Sequence, residues 1–135
     1  MRVIIAGSRD FDNYEFLKEK CNEVLDGVTD ITVLCGLARG ADLMGKMWAE
    51  KRGHKLEYFE PDWKGLGKQA GILRNIKMGQ QADMLICFWD GISRGSKHMI
   101  DYMIKNKKAV KIFGFEKENP TQRCGWELEY EGCNQ

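Results

Sequence analysis

The chain has no charge of one sign to spare. Its 21 lysines and arginines stand against 20 aspartates and glutamates, a net charge of +1. No global field therefore recruits nucleic acid or an acidic membrane surface, and anion binding has to come from local placement. It also lacks an apolar run of transmembrane length, and it starts on a strand-like Met1-Arg2-Val3-Ile4-Ile5-Ala6 with no signal peptide. The expectation is a cytoplasmic protein with no membrane partner. Cysteine offers no disulfide framework: Cys21, Cys35, Cys87, Cys124 and Cys133 form no close pair, and an odd, scattered set fits a reducing compartment. Cys35 and Cys87 lie inside apolar runs and read as small buried hydrophobes. With His54 and His98 far apart, no metal site is expected. Three motifs are absent as well. There is no Walker-type phosphate loop and no G-x-G-x-x-G after the first strand, which argues against a P-loop NTPase and a standard dinucleotide dehydrogenase. No G-x-S-x-G nucleophile elbow is present. No cofactor is expected.

What is there suits one globular domain: 135 residues, 43% hydrophobic and 30% charged, enough for a real core. Apolar runs at 3–6, 31–35, 55–59, 84–89 and 109–113 read as strands. Helical patterns fill the gaps at 14–25, 41–51, 69–81 and from Ser96 or Lys97 to about Asn106. Asp12 or Asn13 caps the first helix, and Gly53 stops the second. Residues 62–68 read as a loop carrying Trp63 and two glycines. Strict β/α alternation means a parallel sheet covered on both faces. Right-handed crossovers make it an α/β, Rossmann-like, open, doubly wound sheet of expected order 3-2-1-4-5. Residues 1–114 form the expected ligand-binding domain, and 115–135 a C-terminal extension. In that tail Trp126, Leu128 and Tyr130 alternate with Glu127, Glu129 and Glu131, which predicts a short added strand or a packed extension, with a partly ordered tail as the alternative.

Ligands of such sheets sit beyond the carboxyl ends of the strands, at the switch point. In this order the switch lies between the first and fourth strands. The first strand exits into Gly7-Ser8-Arg9-Asp10-Phe11, and the fourth into Asp90-Gly91-Ile92-Ser93-Arg94-Gly95-Ser96. The second exits beside them into Gly36-Leu37-Ala38-Arg39-Gly40-Ala41-Asp42. Three of the seven arginines, Arg9, Arg39 and Arg94, fall in these loops. A strand–turn–helix with glycine and arginine in the turn offers an anion backbone N–H groups, a helix dipole and a guanidinium together. The blander reading stays open: surface loops collect arginine, and Gly7 and Gly36 would also serve tight turns alone. Gly95-Ser96 before a helix is the stronger signal, because a hydroxyl and the first helical amides aim at one point.

On the helix at 69–81, Gly71, Arg74, Asn75 and Met78 share one face, which fits either a buried Arg-Asn network or a reach into the cleft. Trp63 and Trp89 are candidates for stacking a base, and Trp89 fits a core position equally. Asp42 and Asp90 would accept from ribose hydroxyls or cap a helix or turn. Lys97 and His98 read as solvated surface.

Taken in order, four motifs resemble one family. They are Gly7-Ser8-Arg9-Asp10-Phe11, Gly36 to Asp42, Trp63 with Lys68, Gly71, Arg74, Asn75 and Met78, and Trp89-Asp90-Gly91 with Ser93-Arg94-Gly95-Ser96. The pattern, spanning about residues 2 to 113, resembles the YspA-related branch of the SLOG superfamily. That superfamily also holds the Lonely-guy phosphoribohydrolases and the DNA-processing protein DprA. The resemblance implies a Rossmann-like fold and a pocket for a nucleotide or nucleotide-derived ligand such as an ADP-ribose species. Phosphate would rest on the amides of Gly7, Ser8, Gly95 and Ser96, with Arg9 and Arg39 as charge partners, Arg74 at the ribose phosphate and Trp63 over the base. Gly36, Gly40, Asp42, Asn75, Asp90 and Arg94 complete the expected ligand-binding set. Lonely-guy enzymes cleave a nucleotide N-glycosidic bond with an arginine of an R-K-(x)2-M motif and a glutamate of P-G-G-x-G-T-x-x-E. Arg74 with Met78 is similar to the first, and Gly95-Ser96 to the Gly-Thr of the second. The glutamate position holds Met99. A carboxylate would stabilise an oxocarbenium-like state and polarise a water, and methionine does neither. The expectation is thus a binding protein, a sensor or sequestering module. The alternative is an N-glycosidase with Arg74, Asp42 or Asp90 as catalytic candidates, and a nucleic-acid module ranks below both. A homodimer is expected from the family and from Ile100, Met103 and Ile104 on the last helix.

Overall fold

The computed structural model describes residues 1–118, 122 and 124–132. Cys133 lies outside them. Strands β1 (Arg2–Gly7), β2 (Thr32–Cys35), β3 (Lys55–Tyr58), β4 (Met84–Trp89), β5 (Ala109–Phe115) and β6 (Cys124–Tyr130) form one sheet in the order β3-β2-β1-β4-β5-β6. The first five pair in parallel, and β6 adds antiparallel to the β5 edge, with Ile112 opposite Leu128. The fold is the expected α/β sheet with one strand added to the expected order. Helices α1 (Tyr14–Val24), α2 (Ala41–Arg52), α3 (Trp63–Leu66), α4 (Ala70–Gln81) and α5 (Arg94–Lys105) connect the strands.

Alternation along the strands splits the core in two. Val3 and Ile5 of β1 face one layer with Phe16, Leu17, Trp48 and Phe88. Ile4 and Ala6 face the other, with Met78, Met99 and Met103. Phe11 stacks on Phe88 with ring centroids 5.0 Å apart and meets Phe115 edge-on at 5.0 Å. Each fully buried side chain of this size stabilises the fold by about 1.5–3 kcal/mol, so the loop after β1 is anchored by its own Phe11. Asn13 caps α1, its side chain accepting from the Phe16 amide at 3.0 Å.

Three local expectations change. Residues 62–68 are no open loop: Asp62 Oδ1 accepts from the Gly65 amide at 2.9 Å and caps the single turn α3, and a 3-10 turn, Gly67–Gln69, leads into α4. Helix α5 starts at Arg94, two residues before the expected Ser96, because Ser93 closes the turn ahead of it. Strand β5 continues to Phe115, past the expected 113, because β6 pairs with its outer edge. Ile100 and Met103 are buried inside the protein, so of the three residues behind the dimer expectation only Ile104, 37% exposed, faces solvent. Among the described residues no helix is long and apolar enough to cross a membrane.

Candidate functional site

Parallel pairing of β1 with β4 brings the loops after Gly7 and Trp89 side by side. Their side chains form a closed ring of hydrogen bonds. The Asp90 amide donates to Ser8 Oγ at 3.0 Å, Ser8 Oγ lies 3.0 Å from Ser93 Oγ, and Ser93 Oγ donates to Asp90 Oδ1 at 2.9 Å. Between Ser8 and Ser93 either hydroxyl can be the donor. Asp90 Oδ1 also accepts from the amides of Ile92 at 2.9 Å and Ser93 at 2.8 Å. Burial pushes the Asp90 carboxyl up, but the Ser93 and Ile92 amides and the Ser93 and Ser8 hydroxyls outweigh it and hold the group below its usual range.

This ring sets the start of α5. The first intrahelical bond runs from the Lys97 amide to the Ser93 carbonyl at 3.1 Å. The amides of Arg94, Gly95 and Ser96 precede it and have no acceptor within the helix. They open on a polar cavity of about 290 Å³ at the carboxyl ends of the strands, into which Arg9, Arg74 and Arg94 also face. Free amides, a helix dipole and three guanidinium groups thus face the same cavity, the kinds of donor and charge that an anion would need.

Asp42 lies buried in its wall. Burial pushes its carboxyl up to about 6, against the lowering effects of Arg74, of the Ala38 and Gly7 amides that donate to it, and of Arg9. Burial likewise lowers Arg74, and Asp42 opposes that shift. Arg74 Nη1 donates to the Gly36 carbonyl, and its Nε donates to Asn75 Oδ1 at 3.0 Å. Asn75 Nδ2 in turn donates to the Gly95 carbonyl at 3.3 Å. One side-chain chain thus ties the exit of β2, helix α4 and the first turn of α5 together. Gly36 makes the approach possible: a Cβ there would lie 2.7 Å from Arg74 Nη1 and 2.9 Å from Asp42 Oδ2.

Of the residues singled out in the sequence, Gly7, Ser8, Arg9, Asp42 and Arg74 line the cavity, as do Asn75, Arg94, Gly95 and Ser96. Two of the four amides expected to hold phosphate are engaged inside the protein. Gly7 donates to Asp42, and Ser8 donates to the Phe88 carbonyl at 2.9 Å, so the first turn of α5 carries the free donors. Arg39 does not reach the cavity; its side chain is 73% exposed and lies 3.8 Å from Asp10. Trp63 is 54% exposed on α3, where its indole tip stands over Gly71, away from the cavity lining. Gly36 and Gly40 stand behind the wall. Gly40, at φ 81°, packs the β2–α2 loop against the Ser8 and Arg9 carbonyls. Asp90 works beneath the rim through its ring. Ala6, Ala38, Met78, Ser93 and Met99 also line the cavity without having been predicted as ligand contacts. Ala38, Met78 and Ser93 stood inside the quoted motifs and Met99 at the glutamate position of the related hydrolases, whereas Ala6 gives no chemical signal.

Three comparisons bear on this geometry. The family model described as "YspA, cpYpsA-related SLOG family" matches residues 1–65. The "Gene 61 protein" of Mycobacterium phage D29 is 36% identical over 120 residues, which cover 84% of this chain and 96% of that protein. The X-ray structure of DNA processing protein A (DprA) from Streptococcus pneumoniae is similar with a TM-score of 0.64 at 18% identity, over 81% of this chain. This chain covers 48% of that structure, about half its length, and the likeness is one of fold.

Proposed function

This chain belongs to the YspA, cpYpsA-related SLOG family, and from that premise we propose that it binds a nucleotide or nucleotide-derived ligand, of nucleoside phosphate or ADP-ribose type, as a sensor or sequestering protein. The observation that carries the reading is the convergence of the unpartnered first-turn amides of α5 with Arg9, Arg74 and Arg94 on one polar cavity. A phosphate there meets the Arg94, Gly95 and Ser96 amides, with Arg9 as its charge partner and Arg74 toward the sugar. Each charge-assisted contact contributes about 1.5–3 kcal/mol. The apolar side of the cavity, Met78 and Met99, suits a sugar face better than a second phosphate.

The test is mass spectrometry of the small molecules released when the purified protein is denatured, followed by calorimetry with the compound found. Release of a phosphorylated nucleoside derivative that rebinds the refolded protein supports the reading. A protein that releases none and binds no member of a nucleotide panel overturns it. Asp42 favours a second reading, cleavage of a nucleotide N-glycosidic bond, because a carboxylate lines the cavity although Met99 stands at the glutamate position of the related hydrolases. Free base released from a bound nucleotide, and lost in Asp42→Asn, would establish that reading in place of plain binding.

A further inference from the structure

The segment after β5 lies outside every motif of the resemblance, and the family model ends well before it. It nevertheless touches both loops that wall the cavity. At the β1–α1 loop, Lys117 Nζ pairs with Asp10 Oδ2 at 2.9 Å. Gln122 Nε2 donates to the Asp10 carbonyl at 3.0 Å, and Gln122 Oε1 accepts from the Asp12 amide. Asp10 follows Arg9 directly, so these contacts fix the backbone that carries an arginine of the cavity.

At the β4–α5 loop the contact runs through two indoles. Strand β6 sets Trp126 opposite Gly114 of β5. The indole fills the room a side chain at Gly114 would need: a Cβ there would lie 1.9 Å from Trp126 Cε2. Trp126 meets Trp89 edge-on, with ring centroids 6.1 Å apart and planes at 79°, a favoured aromatic geometry. Trp89 Nε1 donates at 3.1 Å to the Ser93 carbonyl, the same oxygen that accepts the first helical bond of α5 from Lys97.

We infer that the C-terminal segment is a positioning element of the cavity. Trp126, acting through Trp89, sets where the first turn of α5 points, while Lys117 and Gln122 hold the loop of Arg9. What the cavity binds rests on the reading proposed above; the positioning rests on the contacts alone. A plain edge-strand role differs in its consequence, because it leaves the start of α5 indifferent to the ring at position 126.

The test is amide hydrogen exchange by NMR on the full chain as wild type, Trp126→Ala and Trp126→Phe, with inorganic phosphate as the binding probe read on the Gly95 and Ser96 amides. In Trp126→Ala the Lys97 amide and the Trp89 indole N–H should exchange on the order of tenfold faster while β3 amides keep their rates. Phosphate binding should weaken by a similar factor, and Trp126→Phe should restore most of both. Should the alanine variant not fold, Trp126→Leu is read in the same way. Unchanged exchange at Lys97 and Trp89, or an acceleration shared equally by β3, overturns the inference. Phosphate that shifts no amide of the wild-type protein counts against the binding reading, and the exchange rates still decide the positioning.

Discussion

Asp42 and Asp90 are carboxylates at one site with opposite electrostatics, and the difference is burial. Asp42 is pushed up to about 6 from an ordinary 3.8, because burial costs it more than Arg74, the Ala38 and Gly7 amides and Arg9 give back. A raised carboxyl contributes stability at pH below its unfolded value and loses it as pH rises through the folded value. From about pH 3 to pH 7, wild type should therefore lose about 3 kcal/mol relative to Asp42→Asn, which does not titrate. Urea unfolding of both proteins at several pH values checks this, and parallel curves would rule it out. The arginines divide in the same way by placement. Arg9→Ala should weaken nucleotide binding about tenfold or more, while Arg39→Ala, which loses only an exposed pairing with Asp10, should leave affinity nearly unchanged. Calorimetry on the two variants makes the comparison, and equal losses would place Arg39 at the ligand.

At the scale of elements, the start of α5 is the decisive feature. Asp90, Ser93 and Ser8 build its approach, and Asp90 Oδ1 serves three donors. Asp90→Ala should cost about 1–2 kcal/mol and loosen the Ile92 and Ser93 amides. Because the Asp90 carboxyl is held below its ordinary value, its contribution is present above 3.8 and fades as pH falls through the lowered value. The gap between the thermal melts of wild type and variant should thus narrow in strong acid; a gap of unchanged size would mean that the charge plays no part. Patterning revealed most elements at this scale. The run 84–89 reads directly as β4, since a central parallel strand is apolar on both faces. Helix α3 was not legible, because one capped turn is too short to show a period. The early start of α5 was not legible either, since Ser8 and Ser93 meet across 85 positions of sequence.

For the whole molecule, stability should fall from the sheet centre to its edges. Strands β1 and β4 are covered on both faces and paired on both sides, while β3 and β6 are edges. Their amides should show the slowest and fastest exchange respectively, with β6 opening before β5. Measured protection factors along the six strands check the order, and a β6 as protected as β4 would contradict it. A net charge of +1 gives the surface as a whole little pull on an anion, so the binding proposed above has to rest on the local charges of the cavity.

The alternation of strands and helices, the sheet that follows from it and the three loops that meet at its switch point were determined by the sequence alone. Periodicity and turn chemistry are local properties, and right-handed crossovers leave little topological choice. Tertiary structure alone decided which groups in those loops remain available. Ser8 and Gly7 spend their amides on Phe88 and Asp42, Arg39 turns outward, and the first turn of α5 is left with its donors free. A hydrogen bond is made with whatever lies nearest in space, and β1 learns its neighbour only when β4 pairs beside it.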